Sequence, residues 1–306
     1  MHLGASIQNK LSICIACYGD DLTALLEAIE KGKENLPSNW TLELIAGDQH
    51  PEPAAKANAW ETQFSLLYLH HPNGLGRGNN RNTIARASTG DYLLFLDADA
   101  LPVDPEQFLT NYCTALINAD VVVGGTAYKS GSSSLRHTIG RRKEVIPAHI
   151  RTRKPHANFS AFNFAIARSV FLKHSFDESL KDYGHEDTLF GQELRYACKT
   201  VTHIENAAYH LDDDSDAEFL DKTDGAIDNL VWLIREGKID EEVKLFAVYR
   251  KLQRTGAVHL MKVLRILLAR GIRALLVGGL RSVLLYDFYK LLRMSGHAIK
   301  IGRRNF

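Results

Sequence analysis

The chain has 306 residues, of which 45% are hydrophobic and 24% are charged, a composition that predicts a globular protein with a large core. No apolar run is long enough to span a bilayer and the sequence opens without a signal-peptide pattern, so we expect a cytosolic protein with reduced thiols. The formal net charge is +1, but residues 250–306 carry 13 Lys or Arg and one acid, +12, so the remainder carries −11. The acidic body and the basic tail are expected to meet different partners.

The first half of the chain alternates predicted strands and helices, an order that predicts an α/β fold. Such an order implies a largely parallel sheet that binds ligands at the carboxyl ends of its strands. Strands are predicted at 11–17, 40–46, 64–69, 92–96 and 121–123, and helices at about 20–35, 79–87 and 105–118.

The second half is predicted to be more helical. Residues 129–156 contain eight Lys or Arg and a Gly-Ser-Ser-Ser run, and predict a basic loop that is mobile or a solvated insertion, partly helical. An element at 159–167, helices near 168–174 and 186–197, and a strand at 201–204 follow, and the chain is predicted to be nearly all helix beyond Ala217. Cys14 and Cys17 form a C-x-x-C, but a strand sends residues three apart to opposite faces, which favours two core cysteines over a redox pair.

The tripeptide Asp97-Ala98-Asp99 follows the apolar strand 92–96 directly. Alternate residues of a strand point to the same side, so both carboxylates are predicted to face one site. Carboxylate oxygens are hard ligands that suit Mg²⁺ or Mn²⁺, and such an ion would neutralise the diphosphate of a nucleotide donor. The alternative is that Asp99 or Asp104 only starts the next helix or turn.

Four further segments accompany this motif: Ile-Ala-Cys-Tyr-Gly at 15–19, the glycine-rich 73–82, Gly-His-Glu-Asp at 184–187 and Tyr-His at 209–210. In this order and spacing the five segments resemble a family-2 glycosyltransferase of the GT-A fold, over roughly residues 10–212. The resemblance implies a Rossmann-like GT-A domain with a mixed, mainly parallel sheet flanked by helices, which we place at 1–215, and a helical C-terminal extension at 216–306. It also implies an inverting enzyme that uses a nucleotide sugar and Mn²⁺ or Mg²⁺.

The resemblance assigns donor binding to residues at the ends of strands and to the glycine-rich helix start, where backbone N–H groups favour anions. Asp48 would accept the imide N–H of uracil, which favours a UDP-sugar, and a simple turn aspartate is the alternative. The family usually has proline where Ala16 stands, which makes base specificity less secure. Arg81 would lie near the nucleotide, or else be a surface arginine paired with an acid. The residues with this implied role are Ala16, Cys17, Tyr18, Asp48, Arg81, Asp97, Ala98 and Asp99.

The metal ligands implied by the resemblance are Asp97, Asp99 and His210, with diphosphate oxygens completing the shell. Imidazole suits Mn²⁺ better than Mg²⁺. The acids at 212–214 are predicted to be a solvated helix start instead.

Asp187 is the implied general base, which takes the proton from the acceptor hydroxyl as it attacks the anomeric carbon. Glu186 and His185 would bind acceptor hydroxyls, and Asn163 resembles a family position near the sugar. The competing interpretations are that the acids only favour a helix start and that Asn163 is a buried structural amide.

We expect transfer to a glycan or lipid-linked glycan in bacterial surface polysaccharide synthesis. The alternatives are a nucleotidyltransferase and a non-catalytic nucleotide-sugar-binding subunit. A nucleotidyltransferase usually has a glycine-rich turn after its first strand, and this sequence lacks that turn. The tail, near 254–304, has cations that break apolar runs at helical spacing, which predicts a helix on an anionic membrane at its cytoplasmic face. Packing on the catalytic body or on a second subunit is the alternative; nucleic acid is not an expected partner, and the oligomeric state is left open.

Overall fold

The computed structural model describes residues 8–72, 74, 76–131, 133–181, 183–211, 214–297 and 299. Two members of the glycine-rich segment, Asn73 and Leu75, lie outside the described residues, as do Asp212, Asp213 and the end of the basic tail. The strands are β1 (Asn9–Cys17), β2 (Trp40–Asp48), β3 (Leu66–His70), β4 (Tyr92–Asp97), β5 (Ala100–Pro102), β6 (Val121–Val123), β7 (Thr126–Ala127), β8 (Asn163–Ala167), β9 (Val201–His203) and β10 (Ala208–His210). The helices are α1 (Thr23–Lys33), α2 (Ala57–Phe64), α3 (Arg77–Ala87), α4 (Pro105–Leu116), α5 (Leu135–Lys143), α6 (Ala148–Arg151), α7 (Arg168–Lys173), α8 (Glu186–Tyr196), α9 (Asp216–Arg235), α10 (Lys244–Arg254), α11 (Val258–Val277) and α12 (Val283–Ser295).

The chain divides into two compact units. The first comprises residues 1–128, 145–181 and 190–212, and holds both sheets. The second comprises residues 129–144, 182–189 and 213–306 and is helical. The second unit thus includes two short segments from before residue 213 besides the C-terminal helices.

The first unit is built on a seven-stranded sheet with the order β3-β2-β1-β4-β8-β6-β9. Strands β3, β2, β1 and β4 are parallel to one another, whereas β8 is antiparallel to both of its neighbours. The predicted mixed, mainly parallel sheet is therefore confirmed. The strand order reverses at β1, because β2 lies on one side of β1 and β4 lies on the other. In open α/β sheets, ligands bind at such a reversal, beyond the carboxyl ends of the strands.

The central strand β1 is buried on both faces. Leu11, Ile13 and Ile15 pack in one core cluster, and Cys14, on the opposite face, packs in another. Cys17 belongs to the first cluster, and both cysteines are free and buried, so the expectation of core cysteines is confirmed. Burial raises the pKa of both thiols well above the ordinary value, which keeps them protonated and unreactive.

The segment before β3 is a helix, whereas a strand was predicted to start at Phe64. Helix α2 buries Trp60 and Phe64, which are four residues apart and so share one helix face. Ser65 then adopts a positive φ of 53°, which ends the helix, and the strand begins at Leu66.

The basic segment 129–156, predicted to be a mobile basic loop or a solvated insertion that is partly helical, contains two helices, α5 and α6. Ser134 caps α5 by accepting a hydrogen bond from the backbone N–H of His137 at 3.1 Å. Two arginines of the segment 129–156 are buried. Arg136 pairs with Glu144 at 2.6 Å, and Arg151 donates hydrogen bonds to backbone carbonyls. These partners order a segment whose composition alone predicted mobility.

A small three-stranded sheet, in the order β5-β10-β7, completes the first unit. Strand β10 is antiparallel to β5 and places His210 opposite Ala100. This register brings the end of β10 beside the turn that follows β4, and it positions the candidate site.

The second unit packs helices α5, α9, α11 and α12 around one apolar cluster, which includes Leu220, Ile272 and Leu292. Helix α9 begins with a capping box in which Ser215 and Glu218 satisfy each other's backbone N–H groups. Across the described part of the chain, no helix combines the length and the apolar character needed to cross a membrane.

Candidate functional site

The Asp97-Ala98-Asp99 motif occupies the turn between two strands. Strand β4 ends at Asp97, and Ala98 and Asp99 form a turn before β5. The predicted strand alternation therefore does not reach Asp99. The backbone N–H of Leu211 donates to the carbonyl of Asp99 at 3.0 Å. The turn is therefore tied to the segment that follows β10.

The side chain of Asp99 lies against His210. Its Oδ2 is 2.9 Å from Nε2 of His210, so these two predicted ligands are brought together. The other ring nitrogen, Nδ1, is 3.0 Å from the hydroxyl of Tyr128, and the ring of Phe162 lies 4.8 Å away, centroid to centroid. A contact on the second ring nitrogen fixes the ring orientation, which is how proteins hold a ligating histidine.

The local charges favour ionised Asp99. Burial opposes ionisation, but the hydrogen bond and charge of His210 and the positive charge of Arg77 outweigh it and lower the pKa of Asp99. A carboxylate at this position is therefore an anion available to a cation.

Asp97 has a different partner. Its Oδ1 accepts a hydrogen bond from Nη2 of Arg81 at 2.5 Å, and the guanidinium also lies 5.4 Å from the centre of the Phe176 ring. Arg81 is only 2% exposed, so the alternative of a surface arginine does not describe it, although its pairing with an acid does. The buried pair joins the end of β4 to helix α3, and the nucleotide contact expected of Arg81 stays a prediction.

A divalent cation fits part of this arrangement. Among the described residues, no group of three His, Cys, Asp or Glu side chains is arranged as a metal site. Asp99 and His210 nevertheless direct a carboxylate oxygen and an imidazole nitrogen at each other, a donor set suited to Mn²⁺, whereas Asp97 contacts Arg81. The pair Asp99–His210 is thus the part of the predicted metal set that the geometry favours.

The carboxyl end of β1 lies between the other predicted donor-binding residues. Ala16 is in register with Asp97 on one side, and Cys17 with Asp48 on the other. Tyr18 follows and is 61% exposed, so its ring is available to a ligand.

The ring of Tyr18 is edge-on to that of His50, 5.2 Å between centroids. Gly19 follows with φ of +75°, and a Cβ there would lie 3.0 Å from the His50 ring, so the turn requires glycine. The two rings form one aromatic edge beside the end of β1, a surface suited to a nucleobase.

Asp48 is buried and hydrogen-bonded within the protein. Its Oδ1 accepts from the backbone N–H groups of Gly19 at 3.0 Å and His50 at 2.9 Å, and its Oδ2 accepts from the hydroxyl of Tyr68 at 2.5 Å. These bonds fix the turn that carries Tyr18, so the carboxylate shapes the nucleobase edge. Recognition of a uracil imide by Asp48 stays a prediction.

Asn163 is fully buried at the start of β8. Its Oδ1 accepts from the hydroxyl of Tyr112 at 2.5 Å, and its Nδ2 donates to the carbonyls of Gly125 and Asn206, both at 3.0 Å. This is the geometry of a structural amide, and the sugar contact implied for Asn163 is a prediction that these bonds do not support.

The predicted acceptor residues lie in the second unit, at the start of α8. Gly184 and His185 both have positive φ, of 101° and 69°, and Asn229 donates to the carbonyl of Gly184 at 2.6 Å. A positive φ is unusual for histidine and marks a backbone held by its surroundings, as functional turns often are. Glu186 and Asp187 form the first turn of α8 that follows.

The charge states of this turn suit hydrogen bonding to hydroxyl groups. Burial lowers the pKa of His185 to about 4, with Glu186 opposing the shift and Lys290 adding to it, so the imidazole is neutral near pH 7. Asp187 Oδ1 accepts from the backbone N–H of its neighbour Thr188 at 2.6 Å.

Several residues of the site were not predicted from the sequence. Tyr128, Phe162 and His50 give no motif, because each is placed only by the meeting of distant strands and turns. Arg77 had a signal, since it lies in the same glycine-rich helix start as Arg81.

Comparison with known proteins gives a family and a set of fold neighbours. The family model described as Glycosyl transferase family 2 matches residues 12–176, just over half of the chain. No curated protein matches significantly by sequence.

Three solved structures illustrate the fold match. The crystal structure of S. aureus TarS 1–349 has a TM-score of 0.51 at 19% identity and covers 94% of this chain and 89% of its own. Its complex with UDP-GlcNAc has the same TM-score and coverage at 18% identity. The mannosyltransferase PcManGT from Pyrobaculum calidifontis, in complex with GDP-Man and Mn²⁺, has a TM-score of 0.55 at 14% identity and covers 94% of this chain and 85% of its own. These likenesses show a shared GT-A fold.

Proposed function

The chain belongs to glycosyl transferase family 2 and is a glycosyltransferase of GT-A fold, and from this premise we propose that it transfers a sugar from a nucleotide-diphosphate donor to a glycan acceptor with inversion. A nucleotide-sugar donor is supported by the fold neighbours whose structures hold UDP-GlcNAc and GDP-Man. The observation that carries the proposal is the pairing of Asp99 with His210 at the turn after β4, beside the strand-order reversal.

In this proposal the nucleotide lies across the carboxyl ends of β1 and β4. The exposed ring of Tyr18 and the ring of His50 contact the nucleobase, on a turn that Asp48 holds. The start of helix α3, with Arg77 in its first turn, favours the diphosphate because helix N-termini attract anions. A UDP-sugar is the donor that we favour, on the family resemblance of Asp48.

Asp99 and His210 are proposed to hold Mn²⁺ or Mg²⁺, with Asp97 toward the ribose or the metal. When bound, such a cation supplies charge stabilisation to the departing nucleoside diphosphate. The buried pair Asp97–Arg81 keeps the end of β4 in place for this task.

Asp187 is proposed as the general base that accepts the proton of the attacking hydroxyl. A single displacement of this kind inverts the anomeric carbon. Glu186 and neutral His185 are proposed to hydrogen-bond acceptor hydroxyls, and the hydrogen bond from Asn229 to Gly184 supports the turn that carries them.

The acceptor that we propose is a glycan of a bacterial surface polysaccharide, carried on a lipid. A peripheral position at the cytoplasmic face of a membrane would bring the enzyme to such an acceptor. The basic C-terminal helices support this position, since residues 250–306 carry 13 Lys or Arg and one acid.

A thermal-shift panel of UDP-, GDP- and dTDP-sugars, with and without Mn²⁺, tests the donor and the cation together. A true donor raises the unfolding temperature because it binds only the folded chain. We expect a shift that needs Mn²⁺ and that is lost in Asp99→Asn.

Asp104→Asn is the matched control, since asparagine replaces the aspartate cap of α4 at little cost. Radiolabelled sugar transfer to lipid-linked glycans then separates an enzyme from a binding subunit. The proposal is contradicted if no nucleotide sugar raises the unfolding temperature. It is also contradicted if the chain binds a nucleotide sugar but neither hydrolyses nor transfers it.

A further inference from the structure

Helix α11, in the second unit, is apolar on two sides. One side, with Val258, Met261, Ile272 and Leu276, is buried. Met261, Ile272 and Leu276 join the helical core of that unit. The other side is exposed, and we call it the outer face of α11: Leu260, Val263, Ile266, Leu267, Arg270, Ala274 and Val277.

The outer face is continuous along the helix. Its members recur at intervals of three and four residues, which places them on one side of an α-helix. Ile266 is 73% exposed, Leu267 69% and Leu260 60%, so large aliphatic side chains stand in solvent over about two turns. Exposed apolar patches of this kind mark interaction surfaces in soluble proteins.

Exposed leucines also follow the end of helix α11. Leu280, in the loop after α11, and Leu284, in the first turn of α12, are also exposed, Leu284 by 83%. The loop is folded back, since the N–H of Leu280 donates to the carbonyl of Leu275 at 3.0 Å. The loop after α11 and the start of α12 thus add exposed leucines to those of the outer face.

The charged residues of the chain segment that carries the outer face have one sign. Residues 251–286 contain seven Lys or Arg and no Asp or Glu. Arg254, Arg273 and Arg281 pair with acids elsewhere in the second unit. Lys262 and Arg270 form no ion pair with any residue that the structure describes, so their charges are available to an anionic partner.

This combination selects the occupant. A second copy of the chain would bring the same face, with Arg270 in it and Lys262 one turn before Ile266, against itself and oppose like charges. An anionic bilayer instead accepts aliphatic side chains at the acyl boundary and cations at the headgroups, with long cationic side chains reaching outward. We infer that the outer face of α11 is a docking surface for anionic phospholipid membranes. This inference rests on the proposed peripheral position and identifies the surface that contacts the membrane. It does not depend on donor binding or on sugar transfer.

Sedimentation of the full chain with vesicles tests the inference. We expect binding to phosphatidylcholine vesicles that contain phosphatidylglycerol, and much weaker binding to phosphatidylcholine alone. Ile266→Gln/Leu267→Gln is expected to lower the partition coefficient by about 100-fold, because each buried aliphatic side chain is worth about tenfold or more. Lys262→Gln/Arg270→Gln is expected to lower it by about 30-fold at low salt and to flatten its salt dependence.

Matched controls separate the face from general surface effects. Ile117→Gln removes an aliphatic side chain that is exposed in the first unit, and Arg141→Gln/Arg142→Gln removes two exposed cations of α5; both should bind vesicles as wild type does. The substituted side chains are exposed, apart from Lys262, which is half-buried and forms no ion pair with a described residue, so circular dichroism and urea midpoints should change little.

Two results would overturn the inference. One is wild-type protein that stays in the supernatant at low salt with anionic vesicles. The other is a concentration-dependent dimer, seen by light scattering, that Ile266→Gln/Leu267→Gln breaks while vesicle binding is unaffected, which assigns the face to a second copy. Because no donor, metal or acceptor is present, these results leave the glycosyltransferase proposal standing.

Discussion

Glu43 of β2 is predicted to be a strong, pH-dependent contributor to the stability of the first unit. Its Oε1 accepts from Ser12 Oγ at 2.5 Å, from the backbone N–H of Thr89 at 2.6 Å and from that of Gly90 at 3.1 Å. Its Oε2 accepts from Thr89 Oγ1 at 2.6 Å and lies 2.7 Å from Lys10 Nζ. The carboxylate thus ties the turn before β4 to β1 and β2.

The magnitude follows from the pKa. Burial opposes ionisation of Glu43, but hydrogen bonds from Lys10, Ser12 and Thr89 lower its pKa from 4.5 to about 2. At about 1.4 kcal/mol per pH unit, and with a discount for the 20% of the side chain that is exposed, ionised Glu43 stabilises the fold by about 2–3 kcal/mol. Because folding lowers this pKa, the contribution is full above pH 4.5 and is lost as the pH falls toward 2.

The assay is urea unfolding of wild type and Glu43→Gln at a series of pH values, followed by the fluorescence of Trp40 and Trp60 in the first unit. The difference in free energy of unfolding should be about 2–3 kcal/mol at pH 7 and should shrink below pH 4.5. Glu30→Gln is the control, because the exposed pair Glu30–Lys33 is worth less than about 1 kcal/mol. A Glu43→Gln difference that stays constant down to pH 3 would refute the argument.

Three further predictions concern the candidate site. Asp99→Asn and His210→Gln should each abolish or weaken the Mn²⁺ dependence of UDP affinity in calorimetry while leaving the urea midpoint near that of wild type; unchanged Mn²⁺ dependence would remove that residue from the ligand set. Asp187→Asn should keep donor binding and lower transfer about 10²–10⁴-fold, and near wild-type turnover on the true acceptor would reject it as the base. Tyr68→Phe should destabilise the first unit by about 1–3 kcal/mol, because Asp48 loses a 2.5 Å hydrogen bond in a buried setting, and an unchanged urea midpoint would contradict this.

The architecture of the first unit was predictable because its strands are buried on both faces. Continuous apolar runs such as Leu93–Leu96 predict parallel strands, and the helices between them fix the β-α-β order. The antiparallel insertion of β8 between β4 and β6 was not predictable in this way, since a strand of the same apolar character fits either direction. Helix α2 was missed because Trp60 and Phe64 give too short a periodic signal beside the apolar strand that follows.

The candidate site was predictable to the extent that the family resemblance assigned its residues. The resemblance placed Asp99 and His210 in one implied metal set, and the structure places the two side chains in contact. Tyr128 was not assigned, because its contact with His210 depends on the pairing of β7 with β10, two short strands that composition does not reveal. The surroundings of Asp48 and Asn163 were not predictable either. Both side chains form hydrogen bonds within the protein, and the sequence does not show these bonds.

The two carboxylates of the Asp-x-Asp motif lie in different surroundings. From the sequence, Asp97 and Asp99 are equivalent acids two residues apart. In the structure, Asp97 is 17% exposed at its side chain and contacts the buried Arg81, so its charge is matched inside the protein. Asp99 is 33% exposed at its side chain, and its Oδ2 lies 2.9 Å from Nε2 of His210. Breaking a buried pair is costly, so we expect Asp97, bound to a buried guanidinium, to bind a cation less readily than Asp99. We therefore propose Asp99 as the stronger candidate ligand of the two acids, with Asp97 held beside Arg81 at the end of the strand.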